Sequence, residues 1–463
     1  MDLIKKFFQV LRDLKDRFFA YEGKIALGSR QKKMIIIGVT GTKGKSTIVS
    51  LMSHILNACG LKFGSFSTIE SNINGDILPN NSKLTMPGRG AVHFFLRRAY
   101  DQGARIGIIE VSSVGLVQHR GDYIEWDIAL LANLQKEHLE IHGGFEKYKE
   151  AKGLLFRQLK KYSNKFINNQ KILKTSIINF DDENNEYFFR IDADRKIALS
   201  IYGKPDVAKI NLLNLEFFKP EQIQIAPDGI VIQFEGETYK THLIGQYNAY
   251  NIMFCLALSK VLNLDKENVK KALQTYEGAR GRMQFIKTKD NISVVIDYAH
   301  TPDSLEEVYK TLKQMGYLKL IGIFGACGSM INPLNTWGIV KSKNGGTRDE
   351  WKRPVMGEIA DKYCDYIILT NEDPYDEAPY KIIQAINEGI KNQDKVEIIL
   401  DRREAIRKGI ELAKPGTVVV ITGKGCEKTI MEKGGIRGYK KVKWEGDYDL
   451  ALQYLKEAGK TIV

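Results

Sequence analysis

Ahead of the amphipathic stretch IVSLMSHILNACG, residues 48–60, the chain runs from the apolar MIII, residues 34–37, into GVTGTKGKST, residues 38–47. A buried strand that feeds a glycine-rich turn and leaves it through a helix points to an α/β fold with a parallel sheet. In such sheets the ligand end lies where strand gives way to helix. Glycines at 38, 41 and 44 allow backbone N–H groups to turn inward on phosphate oxygens, and the helix N-terminus adds its positive partial charge. Lys45 is placed to reach outer phosphates, and Ser46 or Thr47 to ligate Mg²⁺. The spacing departs from the standard G-x-x-x-x-G-K-[ST]: Gly44-Lys45-Ser46 fits its end, but Val39 stands five positions before Gly44. The competing reading, a glycine-rich turn without a ligand, does not account for strand, loop, lysine, hydroxyl and helix coming in this order.

A chain of 463 residues is too long for one hydrophobic core, so two or three domains are expected. Its hydrophobic and charged fractions, 43% and 27%, are ordinary for a globular protein. There is no apolar stretch long enough to span a bilayer and nothing resembling a cleavable signal. Cys59, Cys255, Cys327, Cys364 and Cys426 lie scattered without metal-type spacing, which reads as reduced thiols of a cytoplasmic protein. The net charge of +13 is spread along the chain with no aromatic-interleaved basic block, so nucleic acid is not expected as a partner. A basic balance suits anionic small molecules.

Residues 1–33 stand apart. Leu3, Phe7, Val10, Leu11, Leu14 and Phe18 recur at helical spacing among basic residues, which predicts an amphipathic helix packed on the body of the protein. A helix at a membrane interface or on a partner is the alternative. From residue 34, short β-rich runs (MIIIGV, RIGIIEV, DIALLANL) alternate with helical segments. Residues 160–242 read as further strands joined by turns, KTSIINFDDENNEYFF among them, and YNAYNIMFCLALSKVLNL as a helix. Past GRMQ a second α/β series begins with ISVVIDYA, LIGIFGA, YIILTNE and TVVVITG as strands. The expected division is a P-loop central domain at 34–282 and a Rossmann-like α/β domain at 283–463, with residues 329–346 as an inserted surface loop.

The loop GVTGTKGKST resembles the ATP loop of the Mur ligase family, which also includes folylpolyglutamate synthetases and the ligase part of cyanophycin synthetase. Members join a carboxylate to an amine through an acyl-phosphate and release ADP and phosphate. Further stations follow in order: EVSSVGLVQHR (110–120), ANLQKEHLEIHGGFEKYKEAKGLLF (132–156), LIGQYNAYN (243–251), GRMQ (281–284) and DYAHTPDS (297–304). The resemblance implies ATP and Mg²⁺, with Lys45, His138 and Lys152 as catalytic residues. It places nucleotide between two domains, on Gly41, Thr42, Lys43, Gly44, Lys45, Ser46, Thr47, Asn251, Arg282, Asp297 and His300. Metal would be held by Ser46, Glu110, His138 and a carbamylated Lys152. The chemistry is coherent: phosphoryl transfer to a carboxylate gathers several anions, which Mg²⁺ and lysines must neutralise. A lysine of depressed pKa can add CO₂ and become an anionic metal ligand. Taken alone, Glu110, His138 and Lys152 would read as an ordinary strand-end acid, a structural histidine and a solvated helix lysine.

The segment GGTRDEWKRPVMGEIADKYCDYIILTNEDPYDEAP, residues 345–379, and GKGCE at 423–427 resemble the third-residue-adding, MurE-type branch of the family. That implies a muramoyl-peptide-like carboxylate on Thr85, Ser112, Gln118 and Arg120. It implies an amino acid, expected to be a diamino acid, on Arg348, Glu372, Asp373, Pro374, Tyr375, Gly423 and Glu427. Tyr375 stands where diaminopimelate-adding members keep arginine, so a distal carboxylate loses its bidentate partner and lysine or ornithine becomes comparable. Val114, Ala132 and Cys426 replace a common histidine, threonine and histidine. Typical members also carry an N-terminal uridine-nucleotide-binding domain, whereas here the loop begins at residue 38, as in truncated forms. Either the acceptor lacks UDP, as a lipid-linked one would, or the short helix with a partner replaces the missing grip; a lipid-linked acceptor would give the helix a membrane purpose. The sequence therefore predicts a cytoplasmic ATP-dependent amide ligase of cell-wall precursor synthesis. A folylpolyglutamate- or cyanophycin-synthetase-like ligase and a non-catalytic nucleotide-binding scaffold are the rivals.

Overall fold

The protein, seen in a computed structural model, is described over residues 2–80, 82, 84–135, 137, 142–202, 214–328, 350–435 and 439–463. His138, Arg348 and the expected insertion at 329–346 lie outside the described residues. The chain forms two compact units, Asp2–Glu277 and Gly278–Val463. No helix among the described residues is long and apolar enough to cross a membrane.

In the first unit α1 (Asp2–Leu27) precedes β1 (Ile35–Thr40), α2 (Lys45–Ala58), β2 (Phe63–Phe66), β3 (Glu70–Ile73) and β4 (Asp76–Pro79). Then come α3 (Ala91–Asp101), β5 (Ile106–Glu110), α4 (Ser113–Val117), β6 (Ile128–Leu131), α5 (Phe145–Leu159) and the small hairpin β7 (Lys165–Ile167) and β8 (Gln170–Ile172). They are followed by β9 (Thr175–Asn179), α6 (Asn185–Phe189), β10 (Arg195–Leu199), β11 (Leu215–Phe218), β12 (Gln222–Ala226), β13 (Gly229–Phe234), β14 (Glu237–Thr241), α7 (Gln246–Val261) and α8 (Lys266–Thr275). One sheet has the order β11-β10-β9-β6-β1-β5-β2-β3-β4, parallel except at β2–β3–β4. Successive β1 side chains point to opposite faces. Ile37 and Val39 meet Ile48, Leu51, Met52 and Ile55 of α2, while Ile36 meets the layer holding Leu96 of α3 and Leu155 and Phe156 of α5. Strand order reverses around β1, so the carboxyl ends of β1, β5 and β6 open one crevice.

The second unit repeats the principle. Its elements are β15 (Gln284–Lys287), β16 (Ser293–Ile296), α9 (Pro302–Gln314), β17 (Lys319–Phe324), α10 (Lys352–Tyr363), β18 (Tyr366–Leu369) and α11 (Pro379–Asn387). After these come β19 (Val396–Ile398), α12 (Arg402–Glu411), β20 (Thr417–Ile421), β21 (Thr429–Lys433), β22 (Tyr439–Lys443) and α13 (Asp447–Glu457). The sheet order β15-β16-β20-β17-β18-β19 is parallel from β16 onward.

Two local expectations are corrected. The tail of KTSIINFDDENNEYFF is the helix α6 rather than strand. Asp182 turns the chain by accepting from Asn184 N at 2.9 Å, and Phe188 and Phe189 are buried as a helical pair. Helix α1 does pack on the body, but not by the expected stripe: Val10, Leu11, Leu14 and Phe18 are exposed. Its docked side carries Ala20, Gly23 and Leu27 against α3. A Cβ on Gly23 would come within 2.6 Å of His93 Cγ, so steric fit to α3 rather than apolarity selects the docked face.

Asp127, fully buried at the entrance to β6, ties the first sheet together. It accepts from Ile36 N at 2.9 Å, Lys165 Nζ at 2.6 Å and Lys174 Nζ at 2.9 Å. Removing the acid strands two buried ammonium groups. Asp127→Asn is expected to cost about 3–5 kcal/mol, read as a lower denaturant midpoint, and an unchanged midpoint would contradict this role.

Candidate functional site

The turn after β1 is held open by a neighbouring strand end. Asn133, just past β6, accepts from Thr42 N at its carbonyl (3.0 Å), and its Oδ1 accepts from Thr42 N and Lys43 N at 3.1 and 2.9 Å. Its Nδ2 donates to Lys43 O at 3.1 Å. Thr42 Oγ1 accepts from Gln135 N at 2.9 Å and lies 3.1 Å from the Tyr148 hydroxyl of α5. Gly44 then takes a left-handed conformation (φ +82°), and a Cβ there would lie 2.5 Å from Asn251 Oδ1 of α7. Asn251 Nδ2 donates to Asn248 Oδ1 at 2.9 Å, and Asn248 Nδ2 to Ile244 O at 2.8 Å. Gly41 through Thr47 thus form a braced mouth at the start of α2, with Ser46 and Thr47 in its first turn.

Two lysine amines meet at one carbonyl. Gly41 O accepts from Lys45 Nζ at 2.9 Å and from Lys152 Nζ at 2.7 Å, and Lys45 also donates to Thr42 O at 2.8 Å. Lys152, on α5, is only 2% exposed and lies 4.7 Å from the Tyr148 ring centre. Burial, and then the charge of Lys45, pull its pKa well below the ordinary lysine range, against the opposing pull of Glu137 and Glu110.

Glu110 ends β5 buried, with hydroxyls on both oxygens. Ser46 Oγ donates to Oε2 at 2.8 Å, Thr68 N to Oε2 at 2.7 Å and Thr68 Oγ1 to Oε1 at 3.0 Å. Thr85 Oγ1 lies 2.8 Å from Thr68 Oγ1, so an expected acceptor position joins the expected metal position through one hydroxyl. Ser112 caps α4 by accepting from Gly115 N at 3.1 Å. Arg120 donates to Met86 O, next to Thr85, and to Gln118 Oε1, which gathers the remaining acceptor positions. A hydroxyl beside a carboxylate is an all-oxygen pair suited to Mg²⁺. Among the described residues no group of three His, Cys, Asp or Glu side chains gathers for a metal, since Ser46 and Lys152 are of other types and His138 lies outside them.

In the second unit Asp297 accepts from Met283 N and Ala299 N, each at 2.7 Å, and so fixes the turn after β16. Arg282 lies 4.6 Å over the Tyr298 ring, whose other neighbour is His300 at 4.8 Å. Glu372, beyond β18, is buried: Cys327 Sγ donates to its Oε1 at 2.9 Å, while Oε2 has no hydrogen-bond partner among the described residues. That oxygen faces Gly423, where a Cβ would sit 2.5 Å away. Asp373 and Glu427 share the buried Lys424, whose Nζ donates to them at 2.9 and 2.6 Å. Burial pulls the Lys424 pKa down, but the two acids outweigh it and hold it above the ordinary range. Pro374 accepts from Glu377 N at 3.0 Å. Tyr375 is buried with φ +52° and packs 5.5 Å from Tyr439.

Sequence reasoning missed several of these partners. Asn133 lay inside a quoted segment without an assigned part. Thr68 and Lys424 carried no pattern, and His142, 3.0 Å from Ser113 Oγ and 5.3 Å from the Tyr148 ring, was not separated from its neighbours.

Residues 39–259 match the Mur ligase middle domain and residues 281–425 the Mur ligase glutamate ligase domain. The chain is 35% identical over 402 residues to the UDP-N-acetylmuramoyl-L-alanyl-D-glutamate–2,6-diaminopimelate ligase of Aquifex aeolicus, a match covering 86% of this chain and 74% of that enzyme. With the ligase of the same name from Bacillus cereus it shares 31% over 429 residues, 92% of this chain and 78% of the other. A solved structure of a ligase of that name superposes with a TM-score of 0.60 at 27% identity, over 97% of this chain and 84% of its own.

Glu110→Gln keeps the shape of the buried pair and removes its charge. The magnesium concentration needed for half-maximal ATP binding, followed by calorimetry, is expected to rise about tenfold or more. An unchanged magnesium dependence would separate Glu110 from the metal.

Proposed function

The chain belongs to the Mur ligase family, and from that premise we propose that it joins an amino acid to the carboxylate of a muramoyl-dipeptide at the expense of ATP. It is an ATP-dependent carboxylate–amine ligase of peptidoglycan precursor synthesis. The observation that carries the site assignment is the meeting of Lys45 and Lys152 on the Gly41 carbonyl, beside the Ser46–Glu110 pair.

In this reading loop residues 41–47 take the phosphates of ATP, with Lys45 on the outer ones. Asn251 lies against the loop, and Arg282, Asp297 and His300 of the second unit are assigned to the nucleotide by the resemblance. The Ser46–Glu110 geometry supports Mg²⁺ as the ion, held with His138 and the carbamate of Lys152; when bound it neutralises charge on the phosphates. Burial and Lys45 lower the Lys152 pKa, which favours addition of CO₂ to its amine to give a carbamate and a proton, with Lys45 beside the anion formed. The acceptor carboxylate, gripped by Thr85, Ser112, Gln118 and Arg120, attacks the γ-phosphorus. ADP departs and an acyl-phosphate remains. The amine then attacks the acyl carbon, losing its proton as phosphate leaves.

For the amine, Glu372, Asp373, Glu427 and Gly423, with Pro374 and Tyr375 beside them and Arg348 for the α-carboxylate, fit a diamino acid. Tyr375 is turned into the protein against Tyr439 and offers no fork for a second carboxylate, which favours lysine or ornithine over diaminopimelate. Phosphate release is to be measured with muramoyl-dipeptide carried on UDP or on lipid diphosphate, across a panel of amino acids. Lysine or ornithine is expected to support rates about tenfold above meso-diaminopimelate, and Tyr375→Arg to narrow that ratio. No amine-dependent release with either acceptor would leave a nucleotide-binding scaffold, and a preference for diaminopimelate would overturn the specificity.

A further inference from the structure

None of the residues assigned to the ligase chemistry lies on helix α1, yet it makes contacts on one side and presents an apolar face on the other. Apart from Leu27 at its end, its docked side is small or polar. Ala20 and Gly23 approach α3, and Asp13 reaches His119 Nε2 at 2.7 Å. The outward side is apolar: Val10, Leu11, Leu14, Phe18, Tyr21 and Ile25 are 55, 44, 57, 58, 49 and 66% exposed. From Leu11 to Ile25 these residues follow one another at alternating steps of three and four, so they form one unbroken seam along the helix. Isolated exposed apolar side chains are normal. A contiguous seam flanked by charge marks a surface that something covers.

Charge identifies the occupant. Along the edges of the seam lie the exposed Lys15, Arg17 and Lys24, against Glu22 and against Asp13, whose carboxylate meets Arg17 Nε at 2.9 Å and leaves Lys15 and Lys24 as the basic border. The basic field continues onto the body of the unit. Tyr123 is packed by Tyr21, Lys24 and Lys161 at 5.9, 5.2 and 5.4 Å. Next to it a cleft of about 640 Å³ is lined by Val117 and Leu154 with Arg157, Lys160 and Lys161 against the one acid Asp122, and it shares His119 with α1. Arg157 donates to Tyr187 Oη and Glu150 O rather than to a carboxylate. A bilayer with anionic headgroups matches both the apolar stripe and its basic border.

We propose that α1 seats this protein on an anionic membrane surface, with Leu14, Phe18 and Ile25 at the acyl boundary and Lys15 and Lys24 at the headgroup phosphates. The inference goes beyond the ligase reading and does not require it. If both hold, the Asp13–His119 contact puts the membrane-facing helix on the segment that carries Gln118 and Arg120, where a lipid-borne acceptor would arrive.

The full-length protein is to be sedimented with vesicles of phosphatidylcholine alone and of phosphatidylcholine with an equal part of phosphatidylglycerol, beside the Leu14→Glu/Phe18→Glu variant. Light scattering of both proteins gives their oligomeric state. Wild type is expected to bind the anionic vesicles about tenfold more strongly than the neutral ones and to be released by salt. The variant, with unchanged circular dichroism and unchanged phosphate release on a soluble acceptor, is expected to remain in the supernatant. Wild type that ignores anionic vesicles, or a variant that pellets equally well, overturns the proposal. A wild-type dimer that the variant dissolves, without vesicle binding, assigns the seam to a second copy instead. Absent ligase activity in a wild type that binds vesicles counts only against the ligase reading.

Discussion

The Gly41 carbonyl accepts from two lysines at once, and this contact organises the first unit's chemistry. Two ammonium ions sharing one acceptor, one of them out of contact with water, are not a stable arrangement. Burial and the neighbouring Lys45 accordingly pull the Lys152 pKa down, in the same unit as the buried Glu110 carboxylate and its Ser46 hydroxyl. In the proposed reading the loop backbone is the anion cradle, Lys45 serves the phosphates, and Lys152 is the group converted from base to anion. The shared carbonyl fixes the positions of both amines.

The bracing shows why the rest of the unit has its form. Asn133 clamps Thr42 and Lys43 from the end of β6, and Asn251 leans on Gly44 from α7. Tyr148 fixes Thr42 from the same helix that carries Lys152. Three separate elements therefore converge on seven loop residues, which is how a glycine-rich turn is kept in one conformation without ligand contacts of its own. The second unit spends its buried charges differently. Lys424 holds Asp373 and Glu427 together, and Arg402 grips Asp447 in a bidentate pair at the base of the last helix. Asp373 and Glu427 are thereby set in place with part of their charge already met, while Glu372 Oε2 has no hydrogen-bond partner among the described residues.

What the sequence disclosed follows from the range of each interaction. The strand–loop–helix of residues 35–58 is local: apolar run, glycines and helix periodicity all lie within two dozen residues, and the fold class follows. Glu110 and Lys152 are meaningful only through contacts far along the chain, so composition and spacing left them as a strand-end acid and a helix lysine. Only the resemblance to a family lifted them. Asn133 and Thr68 act through single hydrogen bonds with no pattern to announce them. The apolar stripe of α1 was legible but its direction was not. Docking was decided by the small residues Ala20 and Gly23, whose value lies in what they leave room for. Asn185–Phe189 turned helical because Asp182 and Asn184 rewrote the local backbone, overriding the β preference of its aromatic pair.

The central claim of the proposed reading is that Lys152, buried beside Lys45 with its pKa pulled down by both burial and that charge, takes up CO₂ as a carbamate. Equilibrating the protein with ¹³C-bicarbonate and recording ¹³C spectra of wild type and Lys152→Met tests it directly. The account predicts a carbamate carbonyl resonance in the wild type that is missing from the variant. A wild-type spectrum without that resonance, or one retained unchanged after the substitution, would contradict it.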